Sequence, residues 1–454
     1  MANQASFSTQ AQSERCFSRR DFLRFSGLGL AGAAISACAA NQLSLAPTEP
    51  TPATIQLVYQ DWRTDWFPPM AQRMLADFHE DHPNIRVFYT PDPDNVGDVM
   101  LSDMASGTAP DVFQGCCDFF PTWAQRGGAL DLREYVAADL DDATIGDWSP
   151  AQYQAFFLRT GEQFGLPKYH GGLALYYNKD LFDAYDVAYP TGDWDHDDYL
   201  DAMILLTQDR DGDGRVDLFG SMVDISWERI QVHVNGWGGH LIDPEDPTHC
   251  RMDETAALAA MEWLRARMWD DHAMATFLDV QNKETRQAFI DQQIAMVEDG
   301  SWALKDIIVN ADFRIGVAPF PAGPSRRVTL ATTDGFGIYA QTRYPDAAWE
   351  LLKFLTGEEY GRAMAQASFL QPARASLVEA WADFIRADFP EQTMGMDIAA
   401  FADGHLKGYS VTAEIAANMA EAARLTTAAW DRIFTLGEAP VETMIDVCAE
   451  IAKG

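Results

Sequence analysis

The stretch TIQLVYQDWRTDWFPPMAQRMLADFHEDHPNIRVFY, residues 54–89, decides the fold class. Its two ends, residues 54–59 and 85–89, are short apolar runs typical of buried strands. Pro83 ends the helix predicted between them. The apolar residues of that helix recur at helical spacing, at Met70, Met74, Leu75 and Phe78. A strand, a helix and a second strand in this order predict a parallel sheet covered by helices, and therefore an α/β fold.

The same alternation continues along the chain. A helical stretch near residues 99–105 precedes a predicted strand at residues 110–113. Pro345 precedes a helix with one apolar face, formed by Ala348, Leu351, Leu352 and Leu355. With 454 residues the chain is too long for one compact core, so we predict two α/β domains above an N-terminal extension.

The charge balance excludes one group of partners. The formal net charge is −35, with only 33 Lys and Arg residues. Binding to nucleic acid or to an acidic lipid surface depends on clustered cations, so we expect no nucleic-acid partner. A neutral small molecule remains compatible with this composition.

The first forty residues resemble an export leader. Residues 18–23, Ser-Arg-Arg-Asp-Phe-Leu, resemble the twin-arginine motif, and the apolar run 28–37 is too short to span a bilayer permanently. Residues 35–38, Ile-Ser-Ala-Cys, resemble a lipobox, which implies that Cys38 is lipidated. We therefore predict a signal peptide at 1–37, a flexible tether at 38–53, and a lipid anchor on the outer side of the cytoplasmic membrane.

Five ordered segments resemble the family 1 extracellular solute-binding proteins, the maltose-binding type that serves ABC sugar importers. They are Gly107–Val112, Gly165–Pro167 with Leu175–Phe182, Glu298–Trp302, Ala347–Thr356 and Gln371–Arg374. The resemblance covers roughly residues 54–445.

The resemblance implies a type II-like periplasmic-binding-protein fold, with two lobes joined by a hinge and a ligand between them. We expect one lobe at 54–168 and 312–366, and the other at 169–311 and 367–454. It also implies a monomer that captures a carbohydrate, catalyses no reaction, and delivers its ligand to the permease subunits of an ABC transporter.

Sugars present weakly apolar ring faces and a rim of hydroxyls, so aromatic and polar side chains are the expected contacts. The resemblance implies that Trp302 lies under the sugar ring and that Asp118 lies near the sugar hydroxyls. Asp334 departs from the small residues usual at its family position. The complete set of predicted ligand contacts is Trp62, Asp118, Tyr169, His170, Trp237, Trp302, Asp334, Phe336 and Arg374.

Residues 209–220 copy the front of an EF-hand calcium loop. Asp209, Asp211, Asp213 and Asp217 stand at ligand spacing, but Gly220 occupies the position of the bidentate Glu. Two interpretations stay open, a structural calcium site completed from elsewhere and a solvated acidic turn. We expect no other cofactor.

Four cysteines follow the leader, namely Cys116, Cys117, Cys250 and Cys448. This low count predicts buried small side chains, with a bridge from Cys116 or Cys117 to Cys250 or Cys448 as the alternative.

Two other functions remain open from the sequence. A secreted carbohydrate-active enzyme would need two opposed carboxylates, and 68 acidic residues could supply them. The same fold could instead bind a polyamine or another non-sugar solute, because a polyamine site needs several convergent carboxylates.

Overall fold

The computed structural model describes residues 54–117 and 119–453, and the predicted leader, the predicted lipidation site Cys38 and the predicted ligand contact Asp118 lie outside these residues. Its strands are β1 (Ile55–Asp61), β2 (Ile85–Pro91), β3 (Val112–Gly115), β4 (Leu166–Pro167), β5 (Leu173–Asn178), β6 (Phe219–Met222), β7 (Ile294–Gly300), β8 (Ile315–Pro319), β9 (Thr329–Leu330), β10 (Gly335–Ile338) and β11 (Ser410–Val411).

Helices connect and cover these strands. The α-helices are α1 (Phe67–Asp81), α2 (Val96–Ser106), α3 (Phe119–Gln125), α4 (Arg133–Asp139), α5 (Asp142–Gly146), α6 (Pro150–Gln154), α7 (Lys179–Ala184), α8 (His196–Leu206), α9 (Trp227–Gly236), α10 (Thr255–Trp269), α11 (Thr285–Ile290), α12 (Leu304–Asn310), α13 (Pro345–Leu355), α14 (Glu358–Ser368), α15 (Val378–Asp388), α16 (Asp403–Lys407), α17 (Met419–Trp430) and α18 (Thr443–Ile451). Within the described residues, no helix has both the length and the apolar character needed to cross a membrane.

The first sheet has the order β2-β1-β3-β10-β4. Strands β1 and β2 pair in parallel, with Ile55 opposite Ile85, which confirms the strand–helix–strand unit predicted at residues 54–89. Helix α1 buries the predicted face, Met70, Met74, Leu75 and Phe78, against this sheet. Helix α13 packs into the same core through Ala348, Leu351, Leu352 and Leu355. We call the residues around this sheet the first lobe.

The second sheet has the order β6-β7-β5-β8, and β5 pairs antiparallel with both β7 and β8. Every residue of β5 and β7 is buried, because helices cover both faces. Alternate residues of β5 enter two different cores, with Leu175 in one and Tyr176 in the other. We call the residues around this sheet the second lobe.

One predicted lobe boundary differs from the structure. Residues from 312 onward were expected in the first lobe, but β8 hydrogen-bonds to β5 in the second sheet. The chain therefore re-enters the first sheet only at β10. The next crossing was expected at residue 367, and the two cores interleave there. Ala365 and Phe369 pack in the second-lobe core, whereas Leu370 and Ala373 pack in the first-lobe core. Local apolar patterns mark strands without showing which sheet they join, so the sequence could not place the return to the first sheet.

Cys250 and Cys448 form a disulfide, with their Cα atoms 5.2 Å apart. Cys250 pairs with Ile242 in a short bridge, and Cys448 lies on α18, so the bond ties the end of the chain to the second lobe. Among the described cysteines, Cys116 and Cys117 are free. The predicted burial is confirmed for Cys250 and Cys448, which also bond to each other, a pairing that was not predicted. It is wrong for the exposed Cys117, and the alternative bridge from Cys116 or Cys117 does not form.

Candidate functional site

A buried ion pair stands where β1 and β4 end. The carboxylate of Asp61 accepts a hydrogen bond from the Lys168 ammonium, and both side chains are fully buried. The Tyr59 hydroxyl and the Trp62 backbone N–H also donate to this carboxylate, the latter at 2.6 Å. Burial raises the pKa of Asp61 and lowers the pKa of Lys168, while the attraction between the two groups opposes both shifts.

Aromatic rings enclose the Lys168 ammonium. Its Nζ lies 3.1 Å from the centroid of the Trp62 ring and 5.4 Å from that of Phe336. The Trp62 and Tyr169 rings meet edge to face, with centroids 5.5 Å apart. The structure thus brings together three predicted contacts, Trp62, Tyr169 and Phe336. One face of Trp62 is covered by Lys168, so only its remaining surface is available for a ligand.

Asp334 joins this group from the returning strand. Its carboxylate accepts hydrogen bonds from Thr332 and Tyr169, and its carbonyl accepts the Lys168 N–H at 2.9 Å. Asp334 is 6% exposed. Burial is the largest cause that raises the pKa of Asp334, to about 6, although the nearby Lys168 ammonium lowers it.

The raised pKa predicts a pH dependence of stability. The native pKa of about 6 exceeds the ordinary aspartate value of 3.8, so the native state binds the extra proton. The stabilising contribution is complete below about pH 4 and is lost as the pH rises through 6. Relative to Asp334→Asn, the wild-type free energy of unfolding should fall by about 2–3 kcal/mol between pH 4 and 7.5, measured by urea titration. A difference that does not change with pH would contradict this.

A polar edge that the sequence did not predict lies at the carboxyl ends of β1, β2 and β3. The Asp92 carboxylate accepts from Gln114 Nε2 at 2.8 Å and from Gln60 Nε2 at 3.2 Å. Gln114 Oε1 is buried without a hydrogen-bond partner in the described structure. Burial, together with the charge of Asp61, raises the pKa of Asp92 to about 6. The sequence feature that could have predicted these three residues is their position at the ends of strands, and those strands are neighbours in the sheet.

Trp302 follows β7 and lies between the lobes. Its half-buried ring packs against apolar side chains from the cores of both sheets. The neighbouring glycines permit this position, because a Cβ on Gly300 would overlap the ring and one on Gly171 would lie 2.7 Å from it. The Arg229 guanidinium carbon stands 5.3 Å from the ring centroid, and its Nη2 is 3.5 Å from Asp299. Arg229 was not predicted from the sequence.

His170 is an interior residue of the interlobe segment. Its ring is fully buried and stacks on His405, with centroids 4.8 Å apart. Gln371 Nε2 lies 3.2 Å from Nδ1, while Nε2 of His170 has no partner among the described residues. Burial lowers the pKa of His170 to about 3, so the imidazole is neutral at physiological pH.

Two predicted contacts lie in other surroundings. Trp237 packs within the second lobe, with ring centroids 4.5 Å from His196 and 5.6 Å from Trp263. Arg374 donates to the Thr356 carbonyl at 3.0 Å and stands over Trp148. In the described part of the chain, neither residue forms a hydrogen bond or a ring contact with Trp62, Tyr169 or Trp302.

The acidic loop at residues 209–217 is held mainly by hydrogen bonds from its own backbone N–H groups to its carboxylates. Oxygens of Asp209, Asp211 and Asp217 lie within 4.8 Å of one another, and Asp213 is not part of this group. Asp209 accepts the N–H groups of Gly212 and Gly214 at 2.7 and 2.8 Å, which forms a tight turn. The Arg210 side chain donates to Asp217 at 2.7 Å and neutralises it.

The two lobes pack closely in this structure. The described residues form one compact unit, and Tyr169, Asp334 and Phe336 are more than nine-tenths buried. A groove of about 770 Å³ lies elsewhere, on the second lobe, and is lined by residues that include Ile225, Phe277, Asn282, Arg424 and Thr427.

Comparisons with known proteins identify the class. The model of the bacterial extracellular solute-binding proteins matches residues 61–362, and the chain belongs to this family. Proteins of this family are exported and bind a small molecule for an ABC transporter.

Individual relatives are distant in sequence. A putative binding protein of Brucella abortus (strain 2308) is 24% identical over 77% of this chain and 83% of its own length. An ABC substrate-binding protein from Listeria monocytogenes in complex with cycloalternan superposes with a TM-score of 0.73, at 20% identity, over 88% of this chain and 98% of its own. A Mycobacterium tuberculosis protein in complex with glycerophosphocholine gives a TM-score of 0.69, at 18% identity, over 88% and 98%. These structures share the two-lobe α/β fold with this chain.

Proposed function

We propose that the protein binds a carbohydrate between its lobes and delivers it to the permease of an ABC transporter. The observation that carries this proposal is Trp302, a half-buried ring between two lobes with polar side chains nearby. A carbohydrate ring stacks its C–H face on such an indole. The fold shared with a cycloalternan-bound protein supports the same ligand class.

The polar edge would recognise hydroxyl groups. The Asp92 carboxylate and the side-chain amides of Gln60 and Gln114 offer both acceptors and donors at the ends of three adjacent strands. The Lys168–Asp61 pair beside them is fully satisfied, so it orients Trp62 without presenting a free charge. This arrangement favours a neutral ligand, because an anion would meet Asp92 and Asp334.

The test is Trp302→Ala measured by isothermal titration against a panel of mono- and oligosaccharides. We expect the wild type to bind at least one sugar, and the variant to bind it about 30-fold more weakly, which corresponds to about 2 kcal/mol. Trp237→Ala is the matched control, since that ring packs within the second lobe. Equal losses in the two variants, or no sugar binding by the wild type, would refute the proposal.

A cationic solute is the second candidate. Asp92 and Asp334 are carboxylates close to aromatic rings, and the fold is also similar to that of a glycerophosphocholine-bound protein. A polyamine or a choline-like cation would use both features. A thermal-shift screen separates the candidates, because a tight ligand raises the melting temperature by mass action. A shift with spermidine or glycerophosphocholine and none with sugars would favour this second function.

The protein is proposed to bind its ligand without altering it. The family consists of binding proteins, and this supports a receptor over a carbohydrate-active enzyme. Incubation with the bound oligosaccharide should return it unchanged by chromatography, and any hydrolysis product would contradict the proposal.

Export as a lipoprotein is proposed on the leader motifs, with Cys38 as the lipidated residue. The Cys250–Cys448 disulfide supports an oxidising compartment outside the cytoplasm, because such bonds are rare where thiols are kept reduced. We also propose that the protein is a monomer.

Calcium at the acidic loop is a separate proposal. Binding at Asp209, Asp211 and Asp217 would require Arg210 to release Asp217, so we expect a dissociation constant of about 0.1–1 mM. Calcium at 1 mM should then stabilise the protein by about 0.4–1.4 kcal/mol, measured as a rise in melting temperature that a chelator reverses. Asp209→Asn should abolish this rise. Identical melting curves with calcium and with chelator would show that the segment is a solvated turn.

A further inference from the structure

Cys116 and Cys117 are neighbouring free thiols in the interlobe region. They directly follow β3, whose carboxyl end carries Gln114 of the polar edge. Cys116 is half-buried, whereas Cys117 is exposed and has a positive φ of 58°. The two thiols interact by a hydrogen bond, and both cysteines interact electrostatically with Tyr169. The pair therefore lies beside the candidate ligand-contacting group.

The oxidation state of these thiols contrasts with that of the other described cysteines. Cys250 and Cys448 are joined by a disulfide, which indicates that the folded protein meets thiol oxidants. An exposed cysteine beside a second thiol is the arrangement found in redox-sensitive sites, where one sulfur is attacked and the other resolves the intermediate. The Cys116–Cys117 pair has both parts.

We propose that Cys116 and Cys117 form a redox-sensitive vicinal dithiol that closes to a disulfide in the wall of the interlobe region. The oxidant is a small-molecule or protein disulfide. The Cys117 thiolate attacks one sulfur of the oxidant, forms a mixed disulfide and releases one thiol. The Cys116 thiolate then attacks Cys117 Sγ and releases the second thiol. Two electrons and two protons leave the cysteine pair and convert the oxidant disulfide into two thiols.

The roles of the two sulfurs follow from their surroundings. Cys117 is exposed and can meet an oxidant, whereas its neighbour is half-buried. The pKa of Cys116 is raised by its hydrogen bond with Cys117, by burial and by the nearby Asp334. Cys116 is therefore mostly protonated and is not the thiol that attacks the oxidant first. Cys116 therefore acts as the resolving thiol, helped by its permanent proximity to Cys117.

Such a bond is expected to open readily. Adjacent Cα atoms are about 3.8 Å apart, below the usual disulfide range of about 4.4–6.8 Å, and strained or exposed disulfides are easily reduced. Closure also removes two S–H donors beside Asp334 and Tyr169. Oxidation of the pair would therefore change the polarity of the interlobe wall.

The folded protein is equilibrated with graded ratios of reduced and oxidised glutathione, then denatured, alkylated and analysed by peptide mass spectrometry. We expect the Cys116–Cys117 peptide to become lighter by two hydrogen atoms, unalkylated, under oxidising conditions. It should reopen at a [GSH]²/[GSSG] value at least about 100-fold lower than that which opens Cys250–Cys448. Cys116→Ser should trap Cys117 as a glutathione adduct, and Cys117→Ser should leave Cys116 free.

Full alkylation of both thiols at every ratio would overturn the proposal, as would a glutathione adduct on Cys117 as the only wild-type product. A second measurement, which rests on the proposed carbohydrate function, compares sugar affinity between the oxidised and reduced forms. We expect at least a threefold difference that disappears in Cys116→Ser/Cys117→Ser, and equal affinities would overturn the link to the binding region. Since the mass measurement needs no ligand, its failure is separate from a failure of the carbohydrate proposal.

Discussion

Removal of the Cys250–Cys448 disulfide, as Cys250→Ala/Cys448→Ala, is expected to lower the free energy of unfolding by about 5 kcal/mol. The bond closes a loop with a sequence separation of 198 residues, and the entropy that a cross-link removes from the unfolded chain grows with the logarithm of loop length. Both cysteines are buried in the second-lobe core, so alanine leaves no unsatisfied polar group there.

Urea titration followed by far-UV circular dichroism measures this loss. Cys116→Ala/Cys117→Ala is the matched control, because these cysteines are free in the structure and even their closure would constrain a negligible loop. We expect the control to retain an unfolding midpoint close to that of the wild type. The expectation fails if Cys250→Ala/Cys448→Ala unfolds at the wild-type midpoint without reductant, or if reductant changes its midpoint.

Lys168→Met is expected to destabilise the protein by about 3–5 kcal/mol, because it leaves the buried Asp61 carboxylate without its cation. Methionine keeps most of the apolar volume against Trp62 and Phe336, so the loss reports mainly on charge. The remaining hydrogen bonds from Tyr59 and Trp62 compensate only in part. The loss should be smaller at pH 5 than at pH 8, since the buried carboxyl, whose pKa is already raised, can then take up a proton.

Two further variants make this result decisive. Lys179→Met removes another buried lysine, whose Nζ donates to the Gly395 carbonyl at 2.7 Å. Because the partner is a neutral carbonyl, this substitution does not leave a buried carboxylate without its cation. It should cost about 1 kcal/mol. Asp61→Asn/Lys168→Met removes both charges and should be more stable than Lys168→Met alone. A double variant that is less stable than the single one would contradict the assignment of Asp61–Lys168 as a mutually dependent pair.

Much of the fold could be predicted, because its signals are local. The unit at residues 54–89 and the apolar face of α13 depend on the spacing of side chains within one element, and both are confirmed. The family motifs are likewise short and contiguous, and the family match over residues 61–362 confirms the family. The lobe boundary at 312 was wrong, since sheet membership depends on hydrogen bonds to distant strands.

The candidate site was predicted less completely. Trp62, Tyr169, Asp334 and Phe336 were expected and do lie together, but their role as ligand contacts stays a prediction. Asp92, Gln60 and Gln114 were missed because nothing in their own segments distinguishes them from other polar residues at strand ends. Only the order β2-β1-β3 places those three ends side by side.

The amino-acid sequence by itself determined the α/β class, the family and the aromatic and acidic residues available for a site, because these depend on composition and on neighbours along the chain. The tertiary structure alone decided the partners. Lys168 meets Asp61 across 107 residues, and Cys250 meets Cys448 across 198. Sheet order and lobe packing bring these groups together. The physical reason is that a buried charge or thiol interacts with the group that the fold places beside it, whatever the separation of the two residues in sequence.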